Sequence, residues 1–248
     1  MTADDLTSLT PPSDLICTSE EHLFKGRQWV EYFGAVCSLR PDERVLDIGS
    51  GGGRVAVPLS AYLTRGTYEG FDTSAADVEW CRENITPRAP NFSFRHVDIH
   101  NLTYNPGGTI DPTEFRFPYG DSEFDFAFLT SIFTHMLPEH VEHYFGEIAR
   151  VLRPDGRWLA TWFILDDAAL AAIEDGRSAF DFKHNVGDYR VVDPNRHEDA
   201  LAYPERYVLD LYDRFGFEVS IDLGQWPGRP PSATNKDGQD IVVARPRG

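Results

Sequence analysis

A glycine-rich segment in the first quarter of the chain constrains the fold more than any other feature. Residues 45–54 read VLDIGSGGGR, a short apolar run that contains the acid Asp47 and is followed by four glycines, of which those at 49, 51 and 53 stand at alternate positions. The apolar run has the composition of a buried parallel strand. Alternate glycines let backbone amides approach a ligand, because no Cβ stands in the way. A strand, a glycine loop and a helix in this order predict a nucleotide-type binding site at the carboxyl end of a sheet.

The spacing of the glycines indicates which kind of nucleotide binds. A dinucleotide site of the G-x-G-x-x-G type needs a third glycine at position 54, where this chain has Arg54. The segment matches D-x-G-x-G-x-G instead, and the acid Asp47 beside the loop suits a cationic ligand better than a pyrophosphate. This pattern resembles the first motif of the class I S-adenosylmethionine-dependent methyltransferases. The resemblance implies S-adenosyl-L-methionine as the cofactor.

Further stretches resemble landmarks of the same family, in the same order. They are TYEGFD at 67–72, FSFRHVDI at 92–99, FPYGDSEFDFAFL at 117–129 and RVLRPDGRWLATWF at 150–163. The resemblance implies an α/β fold with a Rossmann-like, doubly wound, seven-stranded sheet. The sheet is expected to be mostly parallel with an antiparallel last strand, and to carry helices on both faces.

The domain organisation follows from where the chain departs from this pattern. Residues 1–15 are polar, contain two adjacent prolines and are expected to form a mobile tail. Residues 16–248 are expected to form a single methyltransferase domain. Within it, residues 165–207 exceed the single helix by which the family usually joins strands five and six. We expect this insertion to close over the acceptor as a lid.

The resemblance also implies which residues hold the cofactor. Asp72 matches the acid that binds the ribose hydroxyls, and Asp98 matches the acid that contacts the adenine amino group. Arg27, on a predicted N-terminal helix, is a candidate ligand of the cofactor carboxylate, although a solvated surface arginine fits the same pattern. The full expected set is Arg27, Asp47, Gly49, Ser50, Gly51, Gly53, Asp72, Thr73, Asp98, Ile99 and Thr130.

Two histidines are candidates for catalysis. Methyl transfer requires the acceptor atom, the methyl carbon and the sulfur in line, and a hydroxyl acceptor must also lose a proton. Histidine suits this task because its ordinary pKa lies near working pH. His135 leaves the fourth strand where the family places the methyl group, and it is the first candidate; a histidine that only packs or caps a helix is the alternative. His184, on the expected lid, is the second candidate.

Composition narrows the acceptor. The formal charge is −17, from 23 basic and 40 acidic side chains, which disfavours a nucleic-acid partner. The segment after strand four also lacks the Asn/Asp-Pro-Pro-aromatic motif of enzymes that methylate base amino groups. We therefore expect a small-molecule acceptor, most simply O-methylation of a sugar or secondary-metabolite hydroxyl. Tyr32, Trp162 and Tyr189 are expected to contact it, although a tryptophan such as Trp162 fits a core position equally well.

Several alternatives stay open at this point. The chain could be an N- or C-methyltransferase of a small metabolite, a non-catalytic cofactor-binding scaffold, or an NAD-type oxidoreductase, against which Arg54 counts. The acidic pair Asp166 and Asp167 could bind Mg²⁺, so a metal requirement is left open. The acceptor, the methylated atom and the oligomeric state, a homodimer included, are not given by the sequence.

The sequence also carries signals about the compartment. Cys17, Cys37 and Cys81 are odd in number and lack metal-ligand spacing, so they are interpreted as reduced thiols. The N-terminal residues do not follow the pattern of a signal peptide, and no apolar run approaches the length of a membrane span. We expect a cytoplasmic enzyme without a membrane partner.

Overall fold

The computed structural model describes residues 19–247 of the chain, which divide into two units. The first comprises residues 19–98 and 123–128, and the second comprises residues 99–122 and 129–247. The expected tail at 1–15 and Cys17 lie outside the described residues. The interpretation of residues 16–248 as one domain stays a prediction.

Four parallel strands form the sheet of the first unit. Their order is β4, β1, β2, β3. Their ranges are β1 Arg44–Ile48, β2 Thr67–Asp72, β3 Phe92–His96 and β4 Phe124–Leu129. Successive residues of a strand point to opposite faces, and Val45 and Leu46 of β1 are both fully buried. The sheet is therefore covered on both faces at β1, as expected for a parallel strand rich in apolar residues.

Three helices accompany this sheet, namely α1 Ser19–Ala35, α2 Ala56–Tyr62 and α3 Ala75–Asn84. The start of α3 resembles a capping box, because Oγ of Ser74 accepts a 3.3 Å hydrogen bond from the amide of Asp77. The amide of Ser74, however, donates to Asp72 at 2.8 Å. The end of β2 and the start of α3 are thus joined by one carboxylate.

Three further strands form the sheet of the second unit, in which β11 lies between β10 and β5 and is antiparallel to both. Their ranges are β5 Leu152–Trp162, β10 Phe217–Asp222 and β11 Asp240–Pro246. Helix α4 (Pro138–Val151) precedes β5, and helix α6 (Glu205–Arg214) precedes β10. The expected antiparallel last strand is present. None of the helices among residues 19–247 is both long and apolar enough to cross a membrane.

The insertion at 165–207 is a folded layer with a small sheet of its own. Four short strands have the order β6, β9, β8, β7. The elements here are β6 Ile164–Leu165, α5 Asp167–Glu174, β7 His184–Asn185, β8 Arg190–Val191, a 3₁₀ turn at His197–Asp199 and β9 Leu201–Pro204. An apolar cluster that includes Phe163, Phe182 and Trp226 packs beneath them. Movement of the insertion as a lid stays a prediction, and it applies best to the exposed residues 183–188.

Candidate functional site

The glycine loop adopts backbone conformations that favour glycine. Gly49, Gly51 and Gly53 have φ values of 85°, 48° and 79°, in the left-handed region that a side chain disfavours. A Cβ placed on Gly51 would meet no other atom within 4 Å, so the loop borders open space at this residue. The same Cβ on Gly53 would lie 2.5 Å from the Ile85 side chain. Gly51 therefore leaves room for a ligand, and Gly53 permits close packing on the chain that follows α3.

The amides of this loop are already used within the protein. The amides of Gly49 and Ser50 donate to the Phe71 carbonyl at 2.9 and 3.0 Å, and that of Gly51 donates to Asp72 at 2.7 Å. The sequence suggested that these amides approach the ligand; the structure instead shows that they anchor the loop to the end of β2. At these three residues, therefore, the loop offers a ligand its shape and not its amides.

The thiol of Cys81 contacts the backbone of the glycine loop. Its Sγ donates a hydrogen bond to the Gly51 carbonyl at 3.6 Å, and the side chain is fully buried on α3. Burial raises the pKa of the Cys81 thiol, and nearby carboxylates raise it further. The thiol is therefore a packing group. Cys37 is also buried and not in a disulfide.

Both carboxylate oxygens of Asp72 are fixed by backbone amides. Oδ2 accepts from Gly51 at 2.7 Å and Oδ1 accepts from Ser74 at 2.8 Å. Burial raises the pKa of Asp72, whereas hydrogen bonds from Ser74, Gly51 and Thr73 oppose that shift. Asp72 and Thr73 are both half-buried. Each carboxylate oxygen has capacity for a further donor, so Asp72 is preorganised to accept hydroxyl groups.

Asp47 is a buried carboxylate with one oxygen unpaired. Oδ2 accepts a 2.6 Å hydrogen bond from the Tyr68 hydroxyl. Asp47 is only 2% exposed. Oδ1 has no hydrogen-bond partner among the described residues. Burial raises the pKa of Asp47 to about 7, the charge of Asp72 adds to this, and Tyr68 and Arg54 oppose it. An unpaired buried oxygen is costly, and a cationic ligand group would satisfy it.

Helix α1 lies against the end of the glycine loop. A Cβ on Gly26 would be only 2.1 Å from the Arg54 carbonyl oxygen, so glycine is needed where the two segments meet. The next residue, Arg27, is exposed. Tyr32 is buried and makes an edge contact with Trp29, with ring centroids 6.1 Å apart. Tyr32 therefore packs within α1, and its contact with the acceptor stays a prediction.

The remaining expected cofactor residues lie at the ends of strands. Asp98 is half-buried and lies two residues beyond the end of β3. Ile99 is buried and forms an isolated bridge with Ile110. Thr130 directly follows β4 and is half-buried. Their contacts with the cofactor stay predictions.

In the second unit, His135 is held in one tautomer. It ends a 3₁₀ turn at Phe133–His135, and its Nδ1 lies 3.0 Å from the Glu198 carbonyl oxygen. A carbonyl can only accept, so Nδ1 carries the hydrogen and the neutral ring keeps its lone pair on Nε2. Burial lowers the pKa of His135, although hydrogen bonds to Glu198 and Asp199 and the Asp199 charge oppose this. The ring is thus neutral at neutral pH, which is the form that can accept a proton.

Tyr104, which the sequence analysis did not single out, contacts His135. Its hydroxyl lies 3.3 Å from Nε2 of His135, and the two rings meet edge to face with centroids 5.0 Å apart. Glu198 was missed as well, although its carbonyl fixes the tautomer of His135. The contacting pairs are separated by 31 and 63 residues. A single sequence carries no signal for contacts between such distant loop residues.

The second candidate base, His184, lies on the small sheet of the insertion. His184 is exposed on β7. The Tyr189 hydroxyl is hydrogen-bonded to Nδ1 of His197 at 2.8 Å, and Asp181 forms an ion pair with Lys183. Tyr189 and Asp181, which stand near His184 in the sequence, are therefore both engaged with other residues, and a catalytic role of His184 stays a prediction.

Trp162 lies in the core. The sequence analysis had left open whether it contacts the acceptor or occupies a core position. It has no exposed surface and packs on Phe133 with ring centroids 4.7 Å apart. Its indole N–H donates to the Tyr212 hydroxyl at 3.2 Å. An acceptor cannot touch a side chain without exposed surface, so the expected acceptor contact of Trp162 is corrected to a packing role.

The acidic pair considered for Mg²⁺ has a structural use. Oδ1 of Asp166 caps α5 by accepting from the Ala169 amide at 2.7 Å, and Oδ2 forms a 2.7 Å ion pair with Arg229. Arg229 also pairs with the fully buried Asp240 at 2.9 Å. Within residues 19–247, no group of three or more His, Cys, Asp or Glu side chains is arranged to hold a metal ion.

Comparison with known proteins gives one family match and several relatives. Residues 45–156 match the family described as "Methyltransferase domain". The chain is 32% identical over 119 residues to the fatty-acid O-methyltransferase of Mycolicibacterium smegmatis, covering 48% of this chain and 36% of that protein. It is 29% identical over 114 residues to the phthiotriol/phenolphthiotriol dimycocerosates methyltransferase of Mycobacterium tuberculosis, covering 46% and 35%. The match therefore spans well under half the length of either relative.

The fold resembles that of a solved structure over nearly the whole chain. A SAM-dependent methyltransferase from Aquifex aeolicus superposes with a TM-score of 0.53 and 19% identity, covering 98% of this chain and 97% of that one. The expected Rossmann-like fold class is confirmed.

Proposed function

We propose, from the premise that this chain carries a class I S-adenosylmethionine-dependent methyltransferase domain, that the protein methylates a hydroxyl oxygen of a small molecule. The match of residues 45–156 to the methyltransferase family supports the sequence prediction of a methyltransferase domain, and the likeness in fold to a SAM-dependent methyltransferase supports S-adenosylmethionine as its cofactor. An NAD-type oxidoreductase is thereby set aside. The acceptor, the methylated atom and the roles of individual residues belong to the proposal.

The residues of the first unit fit this cofactor. The unpaired Oδ1 of Asp47 is a buried acceptor suited to the cofactor ammonium group. Asp72 offers a carboxylate oriented by two amides to the ribose hydroxyls, and Asp98 is assigned to the adenine amino group. Gly51 borders the open space in which a ligand would lie. When bound, the cofactor supplies a methyl carbon made electrophilic by the sulfonium.

His135 is the observation that carries the proposal of a hydroxyl acceptor. The Glu198 carbonyl holds the hydrogen on Nδ1, which leaves the lone pair of the neutral ring on Nε2. Burial lowers the pKa of His135, so the ring can accept a proton without first losing one. A hydroxyl oxygen becomes a competent nucleophile when its proton is removed during attack. The chain's part is to align the acceptor and to receive that proton.

The neutral tautomer of His135 also favours a hydroxyl over a carboxylate as the acceptor. One relative is named a fatty-acid O-methyltransferase, and a carboxylic acid is a conceivable acceptor for this chain also. A carboxyl group is ionised at neutral pH, so its methylation requires no base. A histidine held neutral with its lone pair on Nε2 has a use with a hydroxyl, whether on a sugar, a secondary metabolite or a hydroxylated lipid.

The proposal is tested with a panel of acceptors and S-adenosylmethionine labelled with ¹³C in its methyl group. The panel contains hydroxylated sugars, phenols, hydroxylated lipids, fatty acids and amines. We expect label on a hydroxyl oxygen, located by mass spectrometry and NMR. Label only on a carboxylate, nitrogen or carbon would contradict the proposal. Cofactor binding without turnover on any member of the panel would support a non-catalytic scaffold instead.

A further inference from the structure

We infer that Tyr104 is a second proton-transfer residue of the acceptor site and passes the acceptor proton to Nε2 of His135. This inference rests on the proposed function, because it requires a hydroxyl acceptor. Tyr104 belongs to the second unit and follows β3 in the chain, within a loop at 101–105 that we call the Tyr104 loop.

The direction of the hydrogen bond between the two residues is fixed by chemistry. Nδ1 of His135 donates to the Glu198 carbonyl, so Nε2 of the neutral ring is an acceptor. The Tyr104 hydroxyl, 3.3 Å away, must therefore be the donor. The lone pair that the proposed base uses is already engaged by the phenol. Tyr104 is 61% exposed, and an arriving hydroxyl can donate to the lone pairs that remain on its oxygen.

The Tyr104 loop is tied directly to the histidine by Asn101. Oδ1 of Asn101 accepts hydrogen bonds from the amides of Thr103 and Tyr104, at 3.0 and 2.9 Å. Nδ2 of the same side chain donates to the His135 carbonyl at 3.0 Å. One amide side chain thus fixes the backbone of both members of the pair. This is the kind of support that a preorganised proton-transfer site requires.

The 3₁₀ turn at His197–Asp199 gives the Tyr104 loop a second anchor. The carboxylate of Glu198, a residue only 3% exposed, accepts a 2.6 Å hydrogen bond from the Leu102 amide. The carboxylate of Asp199 accepts a 2.7 Å hydrogen bond from the Thr103 hydroxyl. The same turn supplies the carbonyl that holds Nδ1 of His135. The insertion therefore positions the base and the phenol together.

The proposed step balances in atoms and charge. The acceptor oxygen forms a bond to the methyl carbon as the carbon–sulfur bond breaks, which leaves a neutral thioether. The acceptor proton moves to the Tyr104 oxygen, and the original Tyr104 proton moves to Nε2 of His135. Tyr104 ends neutral and His135 ends as imidazolium, so the single positive charge passes from sulfur to the ring.

The titration of His135 reports on this contact. The charged groups on the elements around it are Asp199, paired with Arg196, and Glu198, whose other oxygen lies 3.9 Å from Nδ1 of His140. On β9, the Tyr203 hydroxyl donates to the Met136 carbonyl. Donation from Tyr104 to Nε2 stabilises the neutral ring, and removing it should raise the pKa of His135.

The test compares Tyr104→Phe with Leu102→Ala, a change at another exposed side chain of the same loop. Titration of His135 is followed by ¹H–¹⁵N NMR of its ring, and turnover is measured with a hydroxyl acceptor across pH. For Tyr104→Phe we expect a higher pKa of His135 and a fall in kcat of about tenfold or more. KM should change little. Leu102→Ala should match the wild type in both measurements.

The outcomes separate the two proposals. Normal turnover and an unchanged titration in Tyr104→Phe would overturn the relay and leave the proposed function intact. A rise in kcat would also overturn it and would assign Tyr104 to shielding the base. If the wild type itself methylates no hydroxyl, the proposed function fails and the relay fails with it, even where the NMR titration shows the two side chains to be hydrogen-bonded.

Discussion

Oδ2 of Asp72 accepts a 2.7 Å hydrogen bond from the amide of Gly51, so the carboxylate at the end of β2 holds the glycine loop in place. Its other oxygen holds the start of α3 through the Ser74 amide. Asp72, which we assign to the ribose hydroxyls, therefore also holds the glycine loop and the start of α3 in place. Binding and local order are expected to depend on the same side chain.

Substitution of Asp72 tests its assignment to the ribose. Asp72→Ala should weaken binding of S-adenosylhomocysteine by about 1–3 kcal/mol, the range for losing hydrogen bonds to a charged group. Isothermal titration calorimetry measures this directly. Asp125→Ala is the matched control, because Asp125 also accepts from a backbone amide, that of Arg44 at 2.7 Å, at the opposite end of β1. The control should lose stability but keep its affinity; unchanged affinity in Asp72→Ala would remove the assignment.

The pH dependence of cofactor binding tests the role of Asp47. Burial raises the pKa of Asp47 to about 7, and a cationic ligand group binds the ionised form. Affinity for S-adenosylhomocysteine should therefore rise about tenfold from pH 6 to pH 8, with a proton released on binding at pH 6. Calorimetry in buffers of different ionisation enthalpy measures that proton. Asp47→Asn keeps an acceptor for Tyr68 and should abolish the dependence. Equal affinity and no proton release in the wild type would refute the ammonium contact.

In the absence of cofactor, the raised pKa of Asp47 lowers the stability of the folded protein as pH rises. This is the opposite of its expected effect on cofactor affinity, which increases with pH. The folded pKa of Asp47 lies above the ordinary value of 3.8, so the folded state favours the protonated carboxyl. The contribution of this group to stability is fully present below about pH 4 and is lost as pH rises through about 7. Cofactor binding should therefore stabilise the protein more at pH 8 than at pH 6.

Gly26 tests the contact between α1 and the glycine loop. Gly26→Ala would place a Cβ 2.1 Å from the Arg54 carbonyl oxygen, so α1 would have to move. We expect a loss of about 1–3 kcal/mol in the free energy of unfolding, measured by chemical denaturation. Gly34→Ala on the same helix meets only the Tyr62 hydroxyl at 4.0 Å, and it should be neutral or stabilising. Equal effects of the two substitutions would mean that the close approach has no energetic importance.

Hydrogen exchange tests the lid. Residues 183–188 are exposed and Gly187 has a φ of 103°, whereas the apolar cluster beneath the insertion is buried. Without ligand, amides at 183–188 should exchange quickly, and those of β5 should exchange slowly. Acceptor and S-adenosylhomocysteine together should slow the first group and leave β5 unchanged. Slow exchange throughout the insertion, with no response to ligand, would show that it is a rigid layer.

The fold was largely predictable because its signals are local. The range of β2 coincides with the TYEGFD stretch at 67–72, since a short strand is specified by neighbouring residues. The glycine loop was recognisable for the same reason. Its amides were assigned the wrong partners, because the Phe71 carbonyl and the Asp72 carboxylate reach them only after β1 and β2 pair.

The candidate acceptor site was harder to predict because distant segments build it. His135 could be singled out from its place after β4, but neither Tyr104 nor Glu198 stands near it in the sequence. Composition could not decide whether Trp162 faces a ligand or the core; the surrounding aromatic rings decide it. The Tyr189 hydroxyl is hydrogen-bonded to His197. The sequence could not indicate this partner, because it depends on how residues 184–204 fold into the small sheet.

The central claim is that His135 takes the acceptor proton, and the turnover of His135→Ala tests it most directly. The control is His143→Ala, which also loses a contact between a ring nitrogen and a carbonyl, that of Phe115 at 2.9 Å. We predict that kcat falls about 10²–10⁴-fold in His135→Ala alone, with unchanged affinity for S-adenosylhomocysteine. The wild-type rate should rise with pH along a limb below pH 6.5, because burial lowers the pKa of His135. Near-normal turnover in His135→Ala, with only a lower melting temperature, would contradict the account.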